Sequence, residues 1–327
     1  MKKTISFKDL YLHLIFIILS LNIYINFDIL NFFVGDGLTY KNLALQLLNH
    51  FEYIEENTLR SWRPPGYSFF LFIIFSIFGP DTIIPIMIIN NFLILLSFCL
   101  LNSYLKLLKI NNCEILTFLS FLYFFYLFNT LLLQNWSEML YFFFICSFIY
   151  VFMSGLLNNN KLIIFSFFIL GMSALIRTPS LLFGIFFWFF IFFRFEITFK
   201  IKIICLFFFV IPILFWLLRN FYVLEYFPHT FTANYYNFFA GIQDFVDWEK
   251  IGSIVNQETN DIVLSDILKK NILVSLQNNF DEFIYVRIKN IIRYYFFSLA
   301  FIFSILAFTS SLVYILVFDF KSYFKMN

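Results

Sequence analysis

Apolar residues in this chain come in long runs, and the polar residues between them collect at the boundaries. The runs cover Leu10 to about Phe33, then roughly 81–105, 114–135, 139–157, 161–193, 200–218 and 291–318. A helix needs about 20 mostly apolar residues to cross the hydrocarbon core of a bilayer. The run 161–193 is too long for one crossing and carries Arg177-Thr178-Pro179 at its middle, so it predicts a hairpin of two short helices turning there. The stretch 67–79 is too short to cross and predicts an interfacial or re-entrant helix on the outer side. Between 37 and 51, Tyr40, Ala44, Leu47, Leu48 and Phe51 recur at helical spacing. That pattern predicts a helix lying along the outer leaflet. The fold class expected is an all-α integral membrane protein. It has about eight transmembrane helices, interfacial helices in the first outer loop, and a polar outer loop before the last span. The expected organisation is a transmembrane module over 1–218 with an outer loop 34–80, an extracytoplasmic loop over 219–290, and a terminal span with a cytoplasmic tail over 291–327.

Composition agrees with the pattern. The chain is 61% hydrophobic and 13% charged, with a mean hydropathy of +0.85, whereas soluble domains carry about 25% charged residues. The 55 phenylalanines fit an AT-rich genome and say nothing of function. A net charge of +2 is too small to imply a nucleic-acid partner. Cys99, Cys113, Cys146 and Cys205 are scattered, and His13, His50 and His229 form no cluster. Neither set has metal-ligand spacing, so no metal, haem or other cofactor is expected, and no disulfide.

Charge orients the spans. The chain opens with Lys2, Lys3 and Lys8, and Asn22, Tyr24 and Asn26 stand where a signal-peptide cleavage site would need small residues. An uncleaved first span with a cytoplasmic N-terminus follows. Lys106, Lys109, Lys161, Arg194, Lys200, Lys202, Lys321 and Lys325 then face the cytoplasm, while the short outer segments hold only Lys41, Arg60, Arg63 and Arg177. Asp36, Arg60, Arg63, Glu138, Arg177, Arg219 and Asn220 gather at the outer ends of spans or in outer loops. Trp62, Trp136 and Trp216 lie near the same boundary, as in an aromatic belt.

The first outer loop is the densest in motifs. It reads Gly35-Asp36-Gly37-Leu38-Thr39-Tyr40, then Arg60-Ser61-Trp62-Arg63-Pro64-Pro65-Gly66-Tyr67, then an apolar stretch ending Phe78-Gly79. Ser137-Glu138 opens a later span, Ala174-Leu175-Ile176-Arg177-Thr178-Pro179 joins two more, and Trp216-Leu217-Leu218-Arg219-Asn220 closes another. In order and spacing, over about 1–240, these motifs resemble the polytopic glycosyltransferases with the C-type fold that include protein O-mannosyltransferases and lipid A aminoarabinose transferases. Two departures stand out: Ser68 replaces the usual second proline after Tyr67, and Gly37 follows Asp36 where many relatives have a second acid.

The resemblance implies a polyprenyl-phosphate sugar donor and a glycan, lipid or protein acceptor, with transfer on the outer face of a bacterial inner or plasma membrane. An attacking hydroxyl must lose its proton, and an outer-loop carboxylate can take it; Asp36 is the candidate base, with inversion at the anomeric carbon. The departing lipid phosphate gathers negative charge that arginine can pair. Arg219, Arg177, Arg63 and Arg60 are the candidates, and Tyr40, Glu138, Tyr67 and Asn220 are the further substrate-binding candidates. A phosphate leaves without strong acid help, so no metal is required.

Each residue has a plainer alternative. Asp36 can serve as the N-cap of the helix it precedes. Arg63 can anchor the Pro-Pro turn at the headgroups. Arg177 and Arg219 can be interfacial anchors whose stems snorkel. Glu138 can be a helix-start acid favoured by the dipole, and Glu55 and Glu56 a solvated face. Two other functional classes stay open. One is a transporter or flippase of lipid-linked saccharides, which would place ionisable groups near the midplane. The other is a non-catalytic membrane assembly subunit.

Overall fold

The computed structural model describes residues 7–25, 33, 36–53, 63–80, 82–110, 112–132, 137–195 and 197–224, with the backbone alone for 7–9, 22–25, 36, 123, 126–132, 158, 194 and 223–224. Arg60, Trp62, Trp136, Glu55 and Glu56, most of the polar loop expected over 219–290 and the span expected at 291–318 lie outside the described residues. What is described is helical, without strands, and belongs to one compact unit.

Nine helices are described. They are α1 (Phe7–Ile25), α2 (Asp36–His50), α3 (Pro65–Phe78), α4 (Ile83–Leu107), α5 (Cys113–Leu132), α6 (Glu138–Asn158), α7 (Asn160–Ile176), α8 (Pro179–Arg194) and α9 (Phe199–Leu224). Three are long and apolar enough to cross a membrane: Ile83–Leu107, Glu138–Leu157 and Phe199–Tyr222. Large apolar side chains stand exposed along the outside of α8 and α9, among them Phe186, Phe193, Phe207 and Phe215. An exterior of that kind marks a surface that meets lipid or another protein rather than water.

Local chemistry sets the helix ends. The break inside 161–193 falls where Arg177-Thr178-Pro179 predicts it: α7 ends at Ile176 and α8 starts at Pro179, because proline suits the first helical position and has no amide to donate further in. Pro65 starts α3 in the same way. Asn159 ends α6 and starts α7, and its side chain accepts from the Lys161 amide at 2.9 Å.

Two boundaries differ from expectation. Helix α9 continues through Pro212 to Leu224, so Arg219 and Asn220 are helical residues rather than the start of a loop. The α2 helix stops at His50, and Phe51 takes a positive φ of 57° and is 85% exposed. Phe51 therefore leaves the apolar face. Tyr40, Leu43, Ala44 and Leu47 carry that face instead, all buried.

Helix α7 is the centre of the bundle and packs against α3, α6, α8 and α9. Its buried residues include Ser166, Gly171, Ser173 and Ala174. Lipid tails are as apolar as leucine, so helices in a membrane associate by close packing, and small residues allow it. A Cβ at Gly171 would run into the Phe209 carbonyl and the Pro212 ring of α9. A Cβ at Gly66 would stand 2.9 Å from the Leu175 carbonyl oxygen and 2.8 Å from Ile176 Cγ1. Gly66 thus seats the Pro64-Pro65-Gly66 turn directly on the end of α7.

Candidate functional site

The antiparallel run of α6, α7, α8 and α9 brings the start of α6, the ends of α7 and α9, and the start of α8 to one end of the bundle. The α2–α3 hairpin packs onto that end through Gly66 and the end of α7. Most of the sequence-predicted site residues meet there, in two adjoining groups.

The first group surrounds Tyr67. Its ring is fully buried and meets Tyr40 edge-to-face at 5.1 Å between centroids. The Arg63 guanidinium lies 6.0 Å from the centre of the Tyr40 ring, the outer limit for a cation–π contact. Glu138 lies within electrostatic reach of the Tyr67 phenol. Arg177, just past the end of α7, donates to the Glu138 carboxylate at the start of α6. That ion pair ties α6 to α7, with side chains 39% and 22% exposed. Each charge is answered by the other, so the pair holds helix ends together and orients Arg177.

Beneath the pair runs a chain of hydroxyls. Ser180 donates to the Tyr141 hydroxyl at 3.1 Å, and the Ser173 hydroxyl stands 2.8 Å from Ser180 Oγ. On α4, Asn90 is fully buried and faces the Tyr67 hydroxyl. Even so, neither its amide nitrogen nor its oxygen meets hydrogen-bond geometry with any partner among the described residues.

The second group surrounds Arg219. Its Nη2 donates to the Tyr53 carbonyl at 2.9 Å and its Nη1 to Asn220 Oδ1 at 3.0 Å. The guanidinium carbon sits 5.1 Å from the Trp216 ring centre and 5.9 Å from that of Tyr53. Both hydrogen-bond acceptors are neutral, and the exposed Glu52 lies within electrostatic reach. A guanidinium has five N–H groups in a rigid fork, so two fix its plane and the others remain for a further acceptor. The buried indole N–H of Trp216 has no partner among the described residues.

Tyr53 joins the groups. Its hydroxyl is shared between the carbonyls of Arg63 and Pro64, each at 3.1 Å, with Ser68 Oγ at 3.5 Å. It thereby holds the Arg63-Pro64-Pro65 turn beside Arg219. Ser68 is fully buried in this contact.

Of the predicted residues, Tyr40, Arg63, Tyr67, Glu138, Arg177, Arg219 and Asn220 share this end. Asp36 is the first residue of α2, one turn ahead of Tyr40, and its side chain and Arg60 lie outside the described residues. Tyr53 and Asn90 were not foreseen. Nothing in the sequence singles out Tyr53, whereas Asn90-Asn91 interrupts an apolar run, and polar groups at membrane depth point to function. Among the described residues no group of His, Cys, Asp and Glu could hold a metal ion. No protein-family model, no curated protein and no solved structure matches this chain.

Proposed function

We propose that this chain is a membrane glycosyltransferase that moves a sugar, with inversion, from a polyprenyl-phosphate donor to a glycan, lipid or protein acceptor. The reading takes eight crossings, the N-terminus in the cytoplasm, and the arginine-bearing end of the bundle on the extracytoplasmic face of a bacterial plasma membrane. Helices α2 and α3 then lie in or dip into the outer interface.

The observation that carries it is Arg219. This arginine sits near the end of an apolar helix, oriented by two neutral acceptors and stacked beside two aromatic rings. A cation so placed meets a phosphate held at headgroup depth while the lipid tail stays among the apolar helices. Pre-oriented donors are strongest where charge builds in the transition state, because they need not reorganise as the bond breaks. Arg63 and the Arg177–Glu138 pair flank the same turn, and Tyr40 and Tyr67 line its inner side. Asp36 is the base in this reading, taking the proton of the acceptor hydroxyl as it attacks the anomeric carbon while that carbon's bond to the lipid-phosphate oxygen breaks. No step calls for a metal.

The test is turnover of radiolabelled polyprenyl-phosphate sugars by protein reconstituted with a crude acceptor extract. The wild type should transfer label, while folded Asp36→Asn and Arg219→Ala should not. Binding of a glycosylated lipid without transfer to any acceptor would point to transport, and failure to bind any lipid phosphate would remove the proposal. Cysteine substitutions at Glu52 and Lys161 should label from opposite sides of sealed vesicles.

A further inference from the structure

The two groups at this end of the bundle offer different chemistry. The Arg219 group has donors to spare, the remaining guanidinium N–H groups and the Trp216 indole N–H, with the exposed Glu52 carboxylate within electrostatic reach. Beside Tyr67, where Glu138 is already paired with Arg177, the groups at the phenol are two-sided: the Asn90 amide has a donor and an acceptor, and phenols do both. Donor-only groups suit an anionic oxygen. A carboxamide with both atoms unengaged suits a hydroxyl, which accepts one bond and donates another.

Asn90 is costly as it stands. It is the eighth residue of α4, about 10 Å along the helix from its start. Its side chain has no exposure and faces the Tyr67 hydroxyl, yet neither of its polar atoms meets hydrogen-bond geometry with any described residue. An unsatisfied buried polar group loses its hydration and gains nothing in return. Where a chain is built almost wholly from apolar residues, leucine at this position would avoid the penalty. The neighbouring Asn91 shows a cheaper arrangement, since its amide donates to the Met87 carbonyl one turn back at 2.8 Å. Asn90 makes no such bond.

We infer that Asn90, with the Tyr67 hydroxyl beside it, is the subsite that reads the hydroxyl groups of the donor's sugar, while the Arg219 group reads its phosphate. This rests on the transferase reading above. It makes Asn90 a determinant of discrimination between glycosylated and bare lipid phosphate, with no part in moving a proton or binding the phosphate. Tyr53, whose hydroxyl bonds the Arg63 and Pro64 carbonyls and whose own carbonyl accepts from Arg219, ties the turn that leads to Tyr67 to the Arg219 group.

The experiment uses full-length protein in lipid nanodiscs and two probes, a polyprenyl phosphate and the same lipid carrying one hexose, with a pentose-bearing lipid as a third. Wild type should bind the best glycosylated probe about tenfold more tightly than the bare phosphate. Asn90→Leu should bring that ratio to near one, leave bare-phosphate affinity unchanged, and melt no lower than wild type. Tyr67→Phe, which removes a single oxygen, should lower the ratio in the same direction. A ratio unchanged in Asn90→Leu would mean that the amide holds only buried water, and would overturn the inference while leaving the transferase reading intact. A large fall in melting temperature for Asn90→Leu would also overturn it, by showing that the amide is satisfied within the fold. Absence of bare-phosphate binding by wild type would strike the transferase reading itself.

Discussion

Helix α4 carries three buried asparagines, and two of them, Asn90 and Asn102, twelve positions apart, behave in opposite ways. Asn102, 4% exposed, donates to the Tyr11 hydroxyl of α1 at 2.6 Å and has the Thr117 hydroxyl of α5 at 3.5 Å from its oxygen. Thr117 itself donates to the Cys113 carbonyl at 2.7 Å, and Glu114 pairs with Lys106 across the α4–α5 turn at 3.1 Å. At the same end, Lys202 donates to the Phe192 carbonyl and Trp188 to the Lys202 carbonyl, each at 2.8 Å. These polar groups answer one another and fasten α1 to α4 and α5, and α8 to α9. At the opposite end, and among the described residues, Asn90 meets hydrogen-bond geometry with no partner and Arg219 with neutral oxygens alone. Polarity in an apolar bundle is therefore a weak sign of a working site. Incomplete satisfaction is the stronger one, since a closed network stabilises structure and an open one has capacity left for a ligand.

The comparison can be broken most sharply at Arg219. Arg219→Ala should lower sugar transfer by about 10²- to 10³-fold, the loss typical of one pre-oriented donor, with the melting curve close to wild type. Arg219→Lys should recover only part of the loss, because an ammonium lacks the planar fork that the Tyr53 carbonyl and Asn220 amide orient. Next in size is Gly66→Ala. The new methyl group meets backbone at Leu175 as well as the Ile176 side chain, so α3 must move off the end of α7. A destabilisation of about 1–3 kcal/mol is expected, and transfer should fall with it as Arg63 and Tyr67 leave Arg177 and Arg219.

The asparagine pair gives the cleanest contrast. Asn102→Leu strips the Tyr11 hydroxyl of its partner and should cost about 1–3 kcal/mol, whereas Asn90→Leu should be neutral or stabilising. Thermal melts of both variants in one detergent check this directly. Smallest is Arg177→Ala, at about 1 kcal/mol, because its pair with Glu138 is partly exposed and solvent screens it. The double variant with Glu138→Ala should melt near the single one, since the second change removes a charge already left unpaired.

Much of the fold was legible from the chain. Apolar run lengths placed α4 to α9, and the Arg177-Thr178-Pro179 break was readable because proline starts a helix and stops none before it without cause. The end of α9 was not, since Arg219 reads as the close of a span, yet the helix runs on to Leu224. At the candidate site, the charged and aromatic residues of the motifs were visible as outliers in an apolar chain. Their partners were less so. That Glu138 meets Arg177, thirty-nine residues away, depends on α6 and α7 lying antiparallel. That Tyr53 links Arg63 to Arg219 depends on contacts made through backbone carbonyls, which every residue type supplies alike.

The most direct measurement is binding of a bare polyprenyl phosphate to wild type, Arg219→Ala and Lys161→Ala in lipid nanodiscs. Lys161 is an exposed cation at the start of α7, at the opposite end of the bundle from Arg219. The account predicts that Arg219→Ala loses the lipid phosphate and Lys161→Ala keeps wild-type affinity. Equal affinity in all three proteins, or loss in Lys161→Ala alone, would contradict it.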